Sequence, residues 1–410
     1  MVSRLGLFEA FGIELEYMIV TGDSLDVFPI TDRLLHEVAG GCESEVELGD
    51  ITWSNELALH VVELKTTAPA RSLDGLAERF QENVARINGL LLRHGAKLMP
   101  TAVHPWMNPH EELQLWPHDY SEVYAAFNRV FDCTGHGWAN LQSVHINLPF
   151  ASDAEFGRLH AAIRLLLPLL PALAASSPII DGRVSGFCDT RLEVYRTNAK
   201  RVPSVSGLVI PEAVFTREDY EREILAKMYG DIAPFDPNGI LQHEWLNSRG
   251  AIARFDRDAI EIRVLDIQEC PAADVAICQL IVATLQRLVC QQWSDAQHQE
   301  SLATERLAAI LTDVIRDADK TIITDTDFLQ AFGISAPLTA NELWHQLAAP
   351  LLQVPTETAA ALSVILNQGP LARRILDHVA RHSPENGFVE TYRELCNCLA
   401  TGKMLHSDEA

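Results

Sequence analysis

At 410 residues, with 48% hydrophobic and 21% charged side chains, the chain can bury a large core as one big domain or two smaller ones. A formal net charge of −24 argues against general affinity for nucleic acid or an anionic membrane, so an anionic ligand needs a local basic pocket. Eight cysteines without CxxC pairs or zinc spacing, in a chain far larger than a disulfide scaffold, point to reduced thiols and a cytoplasmic setting.

The first expected element is a strand from about Phe11 to Val20. Alternation turns Ile13, Leu15 and Tyr17 one way and Glu14 and Glu16 the other, placing two carboxylates about 7 Å apart. A face of that kind is open to water, paired with Arg or Lys, or holding cations. Glu9, Glu14 and Glu16 inside this apolar run exclude a signal peptide. Thr31 or Asp32 is expected to cap a short helix that stops at Gly40-Gly41. The stretch from Trp53 to Thr67 reads as one strand. It sets Glu56 and Glu63 an odd number of residues apart, so a bulge or bend near Leu59 is needed to bring both to one site. Without it, one glutamate is exposed and the other partners Lys65. Ser72 is expected to cap a long helix ending at Gly95, followed by a strand to about Thr101.

A loop rich in Trp, Pro and His leads to a helix from Asp119 to Asp132, and its histidines read as surface or structural groups. In the strand from Ser143 to Leu148, Val144, Ile146 and Leu148 face the core while Ser143, His145 and Asn147 face the other way. Ser152-x-x-Glu155 is a capping box opening an apolar segment, Leu159 to Ile180. Arg164, Pro168 and Pro171 inside that segment make it a buried core helix and not a membrane span. The loop from Ser176 to Arg191 supplies hydroxyls, glycines and guanidinium groups, which suits an anionic ligand, although a plain connection has the same composition. Thr216 caps a helix to about Tyr229. Arg249 and Arg254 precede the last strand, Ala259 to Asp266, whose core face is Ile260, Ile262 and Val264 and whose other face carries Glu261 and Arg263. From Pro271 a helix runs to about Trp293, with shorter helices beginning near Ser301, Thr339, Thr356 and Pro384. Residues 1–298 are the expected catalytic domain and 299–410 a helical subdomain packed on it.

Pooled, the polar strand faces hold Glu14, Glu16, Glu56, Glu63, Glu261 and His145, with Arg263 beside them. Five carboxylates in one cavity require cations. Oxygen donors with a single nitrogen suit Mg²⁺ or Mn²⁺ better than zinc, and Mg²⁺ characteristically shares its shell with substrate phosphates. The chain has neither G-x-x-x-x-G-K-[ST] nor G-x-G-x-x-G, so a nucleotide is to be held by metals and arginines.

Gly12-x-Glu14-x-Glu16, the Glu56/Glu63 pair, His145-Ile146-Asn147, the segment from Ala175 through Ser177 and Gly182 to Arg191, and Glu261-x-Arg263-x-x-Asp266 occur in one order. This ordered set resembles the motifs of the glutamate–cysteine ligase and carboxylate-amine ligase superfamily, over about Phe11 to Val289. The resemblance implies an α+β, glutamine-synthetase-like catalytic fold, in which a curved, mostly antiparallel sheet forms a funnel with helices outside. It implies an ATP-dependent ligase that activates a carboxylate as an acyl phosphate and passes it to an amine, forming a γ-glutamyl amide from glutamate and an amino acid such as cysteine, as in glutathione biosynthesis. Carried over residue by residue, Glu14, Glu16, Glu56, Glu63, His145 and Glu261 hold about two or three Mg²⁺ (or Mn²⁺) ions on the ATP phosphates. Arg263, with Glu261, is the catalytic group that neutralises the transferred phosphoryl, and Arg191, Arg249, Arg254, Asn147 and Ser177 bind substrate or nucleotide. Many carboxylate-amine ligases carry His-x-His where this chain has His145-Ile146-Asn147, which leaves subfamily and acceptor amine open. The implied partners are small molecules alone, with self-association open. Two rivals stand beside this reading: a phosphagen-type guanidino kinase on a related sheet, and a metal-dependent hydrolase or non-catalytic metal site.

Overall fold

Strand β1 (Gly12–Thr21) alternates as its sequence requires, and the rest of the sheet assembles on both its edges. The computed structural model describes residues 4–383 and 386–407. Strands β2 (Glu45–Leu48), β3 (Ile51–Asn55), β4 (Val61–Thr66), β5 (Ala96–Met99), β6 (Ser143–Pro149), β7 (Ala251–Arg254) and β8 (Ala259–Asp266) complete an eight-stranded sheet in the order β2-β3-β4-β1-β6-β8-β7. Every pairing in it is antiparallel. On one edge of β1, β6 pairs with Gly12 to Leu15 and β5 takes over from Met18 to Thr21. The result is an α+β fold without a closed barrel.

One face of the sheet is apolar. Ile13, Leu15, Val62, Leu64, Ile146 and Ile262 on it are buried in one cluster with Phe80 and Val84 of helix α2 (Leu76–Leu91), which follows α1 (Thr31–Ala39) in the chain. After α3 (Ser121–Phe131), helices α4 (Asp153–Leu166) and α5 (Pro271–Val289) add Phe156, Ile163, Ile277 and Ile281 to the same cluster. α5 is the one helix among the described residues long and apolar enough to cross a membrane, and most of it is buried inside the fold. The apolar segment from Leu159 breaks at its prolines: α4 ends at Leu166, a 3₁₀ turn spans Leu167–Leu169 and a short helix spans Pro171–Ala174. Arg164 is fully buried there, donating to the carbonyls of Pro211 at 2.9 Å and Leu302 at 3.1 Å.

Helix starts differ from expectation where tertiary contacts take the capping side chain. α1 has Ile30 at its N-cap, because Thr31 instead donates its hydroxyl to the Val61 carbonyl at 3.1 Å and ties the helix to β4. Ser72 accepts from Asp74 N within the preceding turn, and α2 starts three residues later behind Gly75. Ser152, Thr216, Thr339 and Thr356 are N-caps as expected. The stretch from Trp53 to Thr67 is not one bent strand but two, β3 and β4, and the loop between them runs from Glu56 to His60.

Helices α6 (Thr304–Asp317), α7 (Ala340–Leu352), α8 (Glu357–Gln368), α9 (Leu371–Arg381) and α10 (Gly387–Thr401) make up the C-terminal part. The helix expected from Pro384 starts at Gly387, and Pro384 itself lies outside the described residues. Leu307, Trp344 and Leu362 belong to the same core cluster as the sheet, and Trp344 donates to the Leu169 carbonyl at 3.0 Å. Arg374 of α9 is completely buried against Glu269, which is also completely buried, and donates to the Leu405 carbonyl at 2.6 Å. Substituting Arg374 by Ala leaves a buried, unpaired carboxylate, so unfolding free energy from denaturant titration should fall by about 3–5 kcal/mol; unchanged stability would contradict this role.

Candidate active site

The other face of the sheet is charged, and the register decides what meets on it. Glu14 of β1 lies opposite Lys65 of β4 and His145 of β6; Glu16 lies opposite Glu63. Gly12 and Glu261 of β8 both lie opposite Asn147. A Cβ at Gly12 would come within 2.9 Å of Asn147 Cβ. Glycine there lets Asn147 close on β1 and donate Nδ2 to Glu14 Oε1 at 2.9 Å.

His145 Nδ1 is 2.8 Å from Glu14 Oε2 and 3.7 Å from Glu261 Oε1. The Ser143 amide and hydroxyl both donate to Glu16 Oε2, at 2.6 and 2.9 Å. Ser54 donates to Glu63 Oε1 at 2.7 Å, and Lys65 Nζ sits 3.1 Å from the same oxygen and 3.3 Å from Glu45. Arg263 Nε is 3.0 Å from Glu261 Oε1, with Arg254 Nη1 3.6 Å from Oε2. Glu56 enters from the β3–β4 loop. Two triads result, Glu14–Glu63–His145 and Glu16–Glu56–Glu63, each offering ligand atoms within 4.8 Å of one another and sharing Glu63. A cavity of about 640 Å³ opens over them, lined also by Asn147, Lys65, Arg254, Arg257 and Arg263.

Burial pushes Glu56 well above the usual carboxylate range, and the charges of Glu16 and Glu63 push it further. Burial, then the charge of Glu14, lifts Glu63 to about 7. Burial also opposes ionisation of Glu14, but the hydrogen bond and charge of His145 and the charge of Lys65 outweigh it and hold Glu14 down to about 2. His145 is disfavoured by burial as a cation yet rises to about 9 beside Glu14, Glu16 and Glu261. Carboxylates this crowded, with one imidazole nitrogen among oxygens, fit a hard divalent cation: the donor set matches Mg²⁺ or Mn²⁺ in both triads.

Glu14, Glu16, Glu56, Glu63, His145, Asn147, Glu261, Arg254 and Arg263 are thus brought together. Arg191, Ser177 and Arg249 are not. Arg191 is buried, with Nη1 3.5 Å from Asp266 and Nη2 donating to the Arg263 carbonyl at 2.8 Å. Ser177 donates to Asp266 Oδ2 at 2.7 Å, so the Ser176 to Arg191 loop braces the end of β8, and neither Ser177 nor Arg191 lines the cavity. Arg249 is held by both oxygens of Glu212, at 2.6 and 2.7 Å. The brace meets β8 at a β-bulge: the register with β6 slips between Ile262 and Leu265, which turns Asp266 to the same face as Ser143. Ser54, on Glu63, belongs to the site beyond what the sequence singled out, and Lys65, which the sequence offered as the partner of one glutamate of that pair, is on Glu63 within the site. Their signal was the alternation Thr52, Ser54, Glu56 and Glu63, Lys65, legible once β3 and β4 are separated.

The model of glutamate-cysteine ligase family 2 matches residues 10–387. The chain belongs to glutamate-cysteine ligase family 2. It is therefore a ligase, of a family of ATP-dependent enzymes that form amide bonds. An uncharacterized protein of Archaeoglobus fulgidus is 39% identical over 274 residues, 67% of this chain and 73% of that protein. A protein of Paenarthrobacter aurescens provisionally named glutamate–cysteine ligase 2-1 is 24% identical over 397 residues, 96% of this chain and 87% of its own. Among solved structures, the glutamate–cysteine ligase of Francisella tularensis in complex with AMP shares the fold at a TM-score of 0.58 and 13% identity, over 96% of this chain and 89% of that one. A bifunctional glutathione synthetase of Pasteurella multocida matches at a TM-score of 0.59 and 14% identity, over 95% of this chain and 53% of that one.

Glu63 and His145 both hold protons more tightly in this family 2 site than in an unfolded chain. Their contribution to stability is complete below the unfolded values, 4.5 and 6.5, and is lost as pH rises through about 7 and about 9. Glu14, held at about 2, contributes throughout that window and loses its contribution only in acid. Without metal, the melting temperature should fall between about pH 4.5 and about pH 9, and the stabilisation by added Mg²⁺ should grow over the same interval. A Mg²⁺ effect independent of pH would contradict the shared, proton-competing site.

Proposed function

We propose that the chain uses ATP to activate the γ-carboxylate of L-glutamate, or a close analogue, as an acyl phosphate and transfers it to the amine of an amino acid such as cysteine. The observation that carries this reading is the pair of triads sharing Glu63 in a cavity that also presents Arg254 and Arg263. Bound Mg²⁺ would neutralise and align the oxygens of a triphosphate, held by Glu14, Glu63 and His145 on one side and Glu16, Glu56 and Glu63 on the other. Phosphoryl transfer asks the protein for positioning and charge neutralisation more than for covalent chemistry. Arg263 is assigned the second task, a reading supported by Glu261, which fixes its guanidinium at the cavity wall, and by Arg191, which grips its carbonyl. Arg254 and Arg257 are the remaining guanidinium groups on the cavity lining and are assigned to substrate carboxylate or phosphate. With Arg191 and Arg249 committed elsewhere, those two arginines take over the clamping role expected of them. All eight cysteines are free thiols, which supports a reducing, cytoplasmic setting.

The experiment is a panel of amino acids and amines screened for ADP release with Mg²⁺ and ATP. ADP that appears only when a carboxylate and an amine are both present supports the ligase. Release with a guanidino compound alone points to a kinase, and hydrolysis of peptides or esters without ATP to a metal hydrolase. Glu16→Gln keeps shape and hydrogen bonding but removes a charge, so activity should collapse while the fold survives with an equal or higher melting temperature; wild-type turnover would sink the ligand assignment. Arg263→Lys should bind Mg²⁺ and ATP almost normally yet lose about 3 kcal/mol of transition-state stabilisation, roughly a hundredfold in kcat, because an ammonium cannot reproduce a fixed, forked guanidinium. A kcat within about threefold of wild type would refute that role.

A further inference from the structure

Outside the cavity, three side chains from separate parts of the chain form a line. Cys42, exposed in the loop between α1 and β2, has its Sγ 3.2 Å from His118 Nδ1. His118 Nε2 is 3.4 Å from Asp32 Oδ2 on the first turn of α1. The Trp116 ring meets the imidazole edge-on at a centroid distance of 5.0 Å and fixes its plane. The Asp32 contact selects the tautomer with the proton on Nε2, which leaves Nδ1 free to accept the thiol proton. Nucleophile, base and orienting carboxylate are in the order that activates cysteines in unrelated enzymes. The other exposed cysteine, Cys290, has no hydrogen-bonded histidine among the described residues. Glu43 follows Cys42 directly, Glu45, paired with Lys65, and Glu47 stand in the next strand, and no basic residue lies between Cys42 and Glu47, so the reagent best suited to this thiol is cationic.

We infer that Cys42 is a nucleophilic thiol, with His118 as its base and Asp32 orienting that base, which exchanges with small cationic disulfides. His118 Nδ1 takes the Sγ proton, and the thiolate attacks one sulfur of the disulfide. The S–S bond of the reagent breaks, a mixed disulfide forms on Cys42, and the departing thiolate leaves with the proton from His118. One disulfide is lost and one is formed, so no further oxidant is needed.

The test is reaction of the whole protein with cystamine at neutral pH, following each cysteine peptide by mass. Cys42 should be modified about tenfold faster than Cys290 or more. His118→Asn should bring Cys42 down to the rate of Cys290 while leaving Cys290 unchanged, and Asp32→Asn should cause a smaller loss. If His118→Asn disturbs the fold, Cys290 speeds up and buried thiols such as Cys133 become modified; Asp32→Asn, a change on the first turn of α1, then carries the test. Equal rates at Cys42 and Cys290, or a Cys42 rate unchanged by His118→Asn or by Asp32→Asn in a folded protein, would overturn the assignment.

Discussion

The structure turns on like-charge crowding around Glu63. Glu16 sits directly across the ladder from it, Glu14 is the next residue along on the same face, and Glu56 closes in from the adjacent loop. Among the described residues, Ser54 donates a hydrogen bond to Glu63 and Lys65 pairs with the same oxygen. An arrangement of this kind is stable only if protons or cations share it, and Glu63 and Glu56 lean toward holding protons when metal is absent. The site is therefore built to exchange protons for divalent ions.

The scaffold makes that crowding tolerable. Strand alternation puts every apolar neighbour of these glutamates on the opposite face, where α2, α4 and α5 bury them. Burial of that face fixes register, because a slip of one residue would turn Ile13 and Leu15 into the cavity and Glu14 and Glu16 into the core. Two local departures from a regular sheet then tune the site: glycine at position 12 admits Asn147, and the β8 bulge presents the Arg263 carbonyl to Arg191. Arg191 thus acts on Arg263 through the backbone of β8.

Strands with strong period-two patterns were legible in the sequence: β1, β6 and β8 lie where alternation places them, and alternation alone turns Glu14, Glu16, His145 and Glu261 to one face. β2 and β7 have four residues each, too few for a period to register. The reversal between β3 and β4 was hidden because its loop, Glu56-Leu57-Ala58-Leu59-His60, contains no Gly, Pro, Asn or Asp. The arginines were the least legible. Their side chains are long, and which anion each meets is a tertiary matter: Glu212 for Arg249, Asp266 for Arg191, Glu261 for Arg263.

The claim that two cation sites are joined through one carboxylate is tested most directly by counting Mn²⁺ bound per chain, by paramagnetic resonance, in the wild type and in Glu63→Gln. The account predicts about two tightly bound ions in the wild type and weakening of both in the variant, since each triad loses the same ligand. A single ion, or two ions of which one binds Glu63→Gln with unchanged affinity, would contradict it.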